Sequence, residues 1–231
     1  MASILRKSLA TIAVSSVAVL GLAACSSEEE APEPTQEQET EAPEETTEAP
    51  ETEEPEAGDG TAAPWANPGT TEGERLGTIE AGDVTVDVYL VAQDSSTRDS
   101  IWADPDTEEP IVQEGDDVLV LNYVVTNNGD PLNLSYGLVD VSFKYDNWPF
   151  MQQPSVADTD VLESNGVNDN GVAEPGEDVY TLGTGESYSV GEVMLYQAGE
   201  SYTVEVEVAV RDDAGERTGD SFEGTLEGTV E

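Results

Sequence analysis

The sequence predicts an all-β domain, an antiparallel sandwich of about seven strands, and three observations predict it. Apolar residues alternate with polar ones through much of residues 84–230, the pattern of strands with one buried face. Glycine, asparagine and proline interrupt these runs at short intervals, which is the spacing of turns between strands. No stretch beyond residue 24 carries the apolar stripe of an amphipathic helix.

Taken in order, Val84, Val86, Val88 and Leu90 alternate with Thr85, Asp87, Tyr89 and Val91. From Val118 to Thr126 both parities are apolar, so a central strand covered on both faces is expected there, with Asn122 needing a hydrogen-bond partner. Asn127-Asn128-Gly129-Asp130-Pro131 is dense in turn formers and should reverse the chain into a strand over Leu134 to Tyr145. Further strands are expected at Val179 to Leu182, Tyr188 to Tyr196, Tyr202 to Val210 and Phe222 to Val230. The second-to-last is the cleanest, with Tyr202, Val204, Val206, Val208 and Val210 on one parity. Strands of this number and spacing, with no long helix, read as an immunoglobulin-like sandwich.

The run Ile111 to Leu132, a strand ending in Thr126-Asn127 before Gly129-Asp130-Pro131, resembles the uncharacterised immunoglobulin-like domain of Gram-positive, especially actinobacterial, lipoproteins and secreted antigens. Leu182-Gly183-Thr184-Gly185-Glu186-Ser187-Tyr188 is similar to that domain's turn, Gly-Glu and strand step. The resemblance spans roughly Val84 to Glu207. It implies an extracellular binding or interaction module and brings no catalytic residues with it.

The N-terminus places the domain. Arg6 and Lys7 precede an apolar run from Leu9 to Leu20, and Leu22-Ala23-Ala24 leads into Cys25, the one cysteine. A positive region, an apolar region and small residues are the layout of a secretory signal, and the four residues ending at Cys25 resemble a bacterial lipobox. That resemblance implies cleavage before Cys25 and a diacylglyceryl thioether on its sulfur. Two acyl chains at about 0.8 kcal/mol per buried methylene hold a protein stably, whereas one does not. The expected segments are therefore 1–24, a lipoprotein signal peptide; 25–63, the lipidated cysteine and a linker; and 64–231, the sandwich. Ser26 to about Ala63 is Glu, Thr, Pro, Gln and Ala, a composition that stays disordered. Extended at about 3.1 Å per residue it would reach on the order of 100 Å.

Removing Arg6 and Lys7 leaves Arg75, Arg98, Lys144, Arg211 and Arg217 against 51 acidic residues. Nucleic acid is excluded as a partner, because phosphate binding draws on lysine and arginine; the outer face of the cytoplasmic membrane is reached through lipid alone, and an envelope protein or ligand remains to be named. There is no histidine, and Cys25 is committed to lipid. Histidine-dependent nucleophiles, thiol redox pairs and the usual zinc sets are thereby removed. A non-enzymatic module is expected. Lys144, within the expected strand to Tyr145, reads as a surface residue.

Three stretches stand out as candidate sites. In Asn165 to Glu177, Asn168, Asn170 and Glu177 fall on ligand positions of the calcium-loop template, Glu174 on its water-mediated position and Gly171 on its obligatory bend. Its first position is Gly166 where an aspartate is usual, so a Ca²⁺-dependent binding module and a turn-rich spacer both stay open. The acidic group Asp104, Asp106, Glu108 and Glu109 reads as a solvated loop. Trp148, Phe150 and Met151 form the densest apolar loop, either a binding patch or a plug closing one end of the sandwich. A carboxylate-dependent envelope hydrolase is the remaining alternative, since two carboxyls about 5 to 9.5 Å apart suffice for glycoside cleavage.

Overall fold

The computed structural model describes residues 60–67, 69–173 and 175–231. Cys25, the expected linker through residue 59 and Glu174 lie outside the described residues.

Two sheets face each other. The strands are β1 (Thr61–Ala62), β2 (Glu74–Ala81), β3 (Val84–Ser95), β4 (Asp117–Asn127), β5 (Leu132–Ser135), β6 (Asp140–Tyr145), β7 (Ser155–Val156), β8 (Val179–Leu182), β9 (Glu186–Leu195), β10 (Ser201–Arg211) and β11 (Arg217–Thr229). The first sheet runs β1-β9-β4-β3-β2, with β7 also on β9; the second runs β11-β10-β5-β8, with β6 also on β10. Every pairing but the parallel β1/β9 is antiparallel. The all-β sandwich expected from the sequence is what forms.

The main core lies between the sheets. Val84, Val86 and Val88 of β3, Leu119, Leu121, Tyr123 and Val125 of β4, and Val204, Val206 and Val208 of β10 all enter it. Each set keeps one parity, which is how a strand turns one face inward. The other parity of β4 is buried as well. Val118 and Val120 join Val112, Val156, Val161, Leu162, Val167 and Val193 in a second cluster on the outer side of the first sheet. Asn122 finds its partner in the Thr70 carbonyl, 2.5 Å from Nδ2, while its Oδ1 is buried without one.

Several expectations are corrected. The strands number eleven among the described residues, not about seven. β2 went unrecognised, because Glu74-Arg75-Leu76-Gly77-Thr78-Ile79-Glu80-Ala81 hides its alternation behind charges and a register shift between Arg75 and Gly77. Asn127 to Pro131 does not close a hairpin; it carries the chain from the first sheet to the second, and Asn127 Nδ2 ties the crossing to the Leu182 carbonyl at 2.9 Å. The single strand expected over Leu134 to Tyr145 is two, β5 and β6, split at Tyr136-Gly137-Leu138, where Leu138 takes φ 53°. β1 pairs with β9 ahead of the boundary expected at Pro64.

A helix is also present, α1 (Thr159–Ser164). Its six residues are too short to show a stripe in sequence. The cap defines it instead: Asp158, fully buried, accepts from the Val161 amide at 3.3 Å, the Thr97 amide at 2.6 Å and the Thr97 hydroxyl at 2.8 Å. Val161 and Leu162 then seal the outer cluster. Burial alone would raise the Asp158 pKa, but the Thr97 and Val161 hydrogen bonds and the nearby Arg98 guanidinium outweigh it and hold the carboxyl below its ordinary value. Among the described residues no helix is long and apolar enough to cross a membrane.

One side of the sandwich closes tightly. On β11 the inward positions include Gly224 and Gly228, and a Cβ at 224 would sit 2.5 Å from the Glu80 carbonyl oxygen of β2. Glycine lets the two edge strands meet there. The opposite side does not close.

Candidate functional site

The open side exists because each sheet loses an edge partner at the same place. β1 pairs with β9 at Glu186 and Ser187, and β7 pairs with it at Ser155↔Met194 and Val156↔Val193, so residues 188–192 have no strand on that side among the described residues. On β10, β6 covers Tyr202 to Glu207 and β5 resumes only at Arg211. The chain between β5 and β6 bows away through Tyr136 and Leu138. A cleft of about 580 Å³ fills the gap, within the ~300–1,000 Å³ range of small-molecule sites.

Strand parity decides what faces it. Tyr188, Val190 and Glu192 share the inward face of β9, and Tyr123 on β4 lies opposite Val190, one diagonal step from Glu192. Diagonal neighbours on one face are within reach of long side chains. The Tyr123 hydroxyl donates to Glu192 Oε2 at 3.2 Å. Tyr188 accepts from the Val139 amide at 3.0 Å, pinning the bowed segment to the first sheet. From the second sheet come Glu207 and Arg211 on β10 and Arg217 on β11.

The electrostatics are unusual for so acidic a chain. Desolvation raises the Glu192 pKa from 4.5 to about 7, and the hydrogen bond from Tyr123 offsets only part of that. Glu192 keeps some solvent contact through the cleft, yet the protein groups around it replace most of its hydration. Burial, then the neighbouring Glu192 charge and hydrogen bond, push the Tyr123 hydroxyl well up. Arg217 pairs with Glu207 at 3.3 Å. Arg211 spends Nη1 on the Gly215 carbonyl at 3.4 Å, and its Nε is buried without a partner.

The residues singled out from sequence land as follows. Asp169, Asn170 and Gly171, the middle of the calcium-like loop, form one wall of this cleft. The loop is held by protein: Gly191 donates to the Asn168 carbonyl at 2.7 Å, Asn67 Nδ2 donates to the Asn170 carbonyl at 2.8 Å, and Asn170 Oδ1 accepts from the Val172 amide at 3.0 Å. Asn168 and Asn170 are near neighbours in the chain, whereas Glu177 is exposed past Gly176, whose φ is 155°. Among the described residues no group of three or more acidic side chains is placed to hold a metal ion.

Asp104, half-buried, accepts at Oδ1 from the Asp106 amide at 2.7 Å in a local turn whose other acids, Asp106, Glu108 and Glu109, are exposed. Lys144 faces solvent and pairs with Glu205. The Trp148 loop divides. Trp148 is half-buried against the main core, its indole N–H donating to the Gln152 carbonyl at 2.7 Å and its ring meeting Tyr145 and Phe150. Met151 is 97% exposed.

Sequence reasoning missed Glu192, Tyr123 and Arg211. A signal for Glu192 was present: it shares parity with Tyr188, Val190 and Met194, so an ionisable group stands on an otherwise inward face. Arg211 had no such signal, because it stands on the parity opposite Tyr202, Val204, Val206, Val208 and Val210, the side that reads as solvent-facing.

No protein-family model matches the chain, and no curated protein matches it. Among solved structures, a Bacillus subtilis protein described as a lipoprotein, YcdA, is similar at 20% identity and a TM-score of 0.32. The match covers 65% of this chain and 38% of that one, so the chain corresponds to well under half of the neighbour. A likeness at that level transfers neither fold nor activity.

Proposed function

We propose that the protein is a lipid-anchored, cell-surface, non-enzymatic binding module in which an immunoglobulin-like sandwich holds a small ligand in the cleft between its sheets. The carrying observation is the cleft itself, lined by Glu192, Tyr123 and Arg211, where the Tyr123 hydroxyl donates to Glu192 and Arg211 Nε is buried without a protein acceptor. A strongly perturbed ionisable group in a concave site is a candidate for a functional site. The anchor reading rests on Leu22-Ala23-Ala24-Cys25 and the preceding signal-like run, with the outer face of the cytoplasmic membrane as the lipid's partner.

The test uses the full chain in detergent micelles and a fragment library read by ligand-observed NMR. Ala209 is a half-buried residue of the cleft wall on β10, so Ala209→Trp adds a ring to the cavity and leaves the backbone pairing in place. Fragments that bind the native protein and are lost in Ala209→Trp support the reading. Fragments that bind both proteins alike, or none at all, overturn it. Mass spectrometry of the N-terminus tests the anchor separately: a lipidated Cys25 is expected, and an unmodified thiol removes it.

A further inference from the structure

We infer that, given the binding role proposed above, the ligand of the cleft is a neutral polyhydroxylated molecule, a glycan, held between the Arg211 guanidinium and the Glu192 carboxyl with the Tyr136 ring beside it.

Arg211 is the starting point. Arg75 pairs with Asp87, Arg98 with Asp158 and Asp160, Lys144 with Glu205 and Arg217 with Glu207. Arg211 alone among the cations of the described residues has no ion pair, in a chain with 51 acidic residues. Its Nε–H is buried and unmet. Buried donors are nearly always satisfied, and one that no protein group meets calls for a water or ligand acceptor. Across the cleft, Glu192 receives one hydrogen bond, from Tyr123, where a carboxylate has roughly four acceptor sites. The ligand must therefore offer acceptors to one wall and donors to the other. A hydroxyl does both.

Charge narrows the class further. Asp140, Asp169, Glu192 and Glu207 all border the cleft, and the chain carries a formal charge of −44, so an anion meets repulsion locally and at a distance. A cation is attracted at long range but must lie against an unpaired guanidinium. A neutral ligand meets neither obstacle. Tyr136 supplies the remaining element: it is 68% exposed at the cleft wall, and the adjoining Leu138 is held at φ 53°. A branched side chain at positive φ is strained, and such strain gathers at ligand sites. An exposed tyrosine gives an apolar face with a polar tip, which matches the mixed faces of a sugar ring.

The experiment titrates the full chain in micelles with maltotriose, cellotriose and chitotriose, and with glucose 6-phosphate and spermidine as charged probes. At least one trisaccharide should bind, with an affinity unchanged between low and high salt. Arg211→Met, which keeps the side-chain stem, should weaken it roughly 10- to 100-fold, the loss of a hydrogen bond to a charged group. Tyr136→Ala, at an exposed position where folding is not at stake, should weaken it as well, and Ala209→Trp should abolish it. Failure of all three trisaccharides, or binding that survives both Arg211→Met and Tyr136→Ala, overturns the glycan assignment. Binding of only a charged probe, lost in Ala209→Trp, also overturns it while leaving the binding function standing. If no probe and no library fragment responds to Ala209→Trp, both fall together.

Discussion

Glu192→Gln should stabilise the protein at alkaline pH and leave it unchanged in acid. The wild-type carboxyl is displaced from 4.5 to about 7 by desolvation, with Tyr123 offsetting part of the effect. The folded state thus holds this proton more tightly than the unfolded chain does. Stability from this group is fully present below pH 4.5 and is lost as pH rises through about 7. At about 1.4 kcal/mol per pH unit, the full loss is about 3 kcal/mol, an upper figure because the carboxyl retains some solvent through the cleft. Glutamine keeps an oxygen for the Tyr123 hydroxyl and carries no titrating proton. Other acidic residues titrate in both proteins and cancel in the difference. Urea unfolding of the two proteins from pH 4 to 9 should give a stability difference near zero in acid that grows toward about 3 kcal/mol in favour of glutamine above neutrality. A difference that is flat with pH, or one that moves in favour of glutamate as pH rises from 4.5 to 7, would show that Glu192 is not the desolvated group the geometry makes it.

Two further predictions concern the frame. Asp158→Ala removes the acceptor for the Thr97 and Val161 donors and the partner of Arg98; a loss of roughly 3 to 5 kcal/mol is expected at neutral pH. That loss should shrink as pH falls through the lowered Asp158 pKa, where the wild type forfeits the same interactions, and thermal melts in acid and at neutrality would read it. Gly224→Val forces side-chain atoms against Glu80 and Ile79 of β2; it should destabilise by about 1 to 3 kcal/mol or more, and by more than Gly199→Val, where nothing lies within 4 Å of the added Cβ and only the strain of a φ of 77° is incurred. Equal melting temperatures for the two variants would mean that the close approach of β2 and β11 is not what glycine serves.

How much of this was legible beforehand follows from what each feature depends on. Strands β3, β4, β8, β9, β10 and much of β11 were readable because side-chain parity is a local property of an extended chain. The two-sided burial of β4 was readable for the same reason: Val118 to Thr126 has no polar face to offer water. Helix α1 was not, since its cap draws on Thr97, remote in sequence. The split between β5 and β6 was not, because it depends on Leu138 taking a conformation that its sequence disfavours and that the Val139 to Tyr188 hydrogen bond secures.

By itself the chain's composition determined a β-sandwich without histidine chemistry, a strongly acidic character and an N-terminus resembling a lipidation signal, because each of these is written in residue type and near spacing. Only the tertiary structure decided where a ligand could sit. The cleft arises from two missing edge strands on opposite sheets, and Tyr123, Glu192 and Arg211 meet there from β4, β9 and β10. Such a meeting is a product of pairing register between distant segments, and no local pattern encodes it.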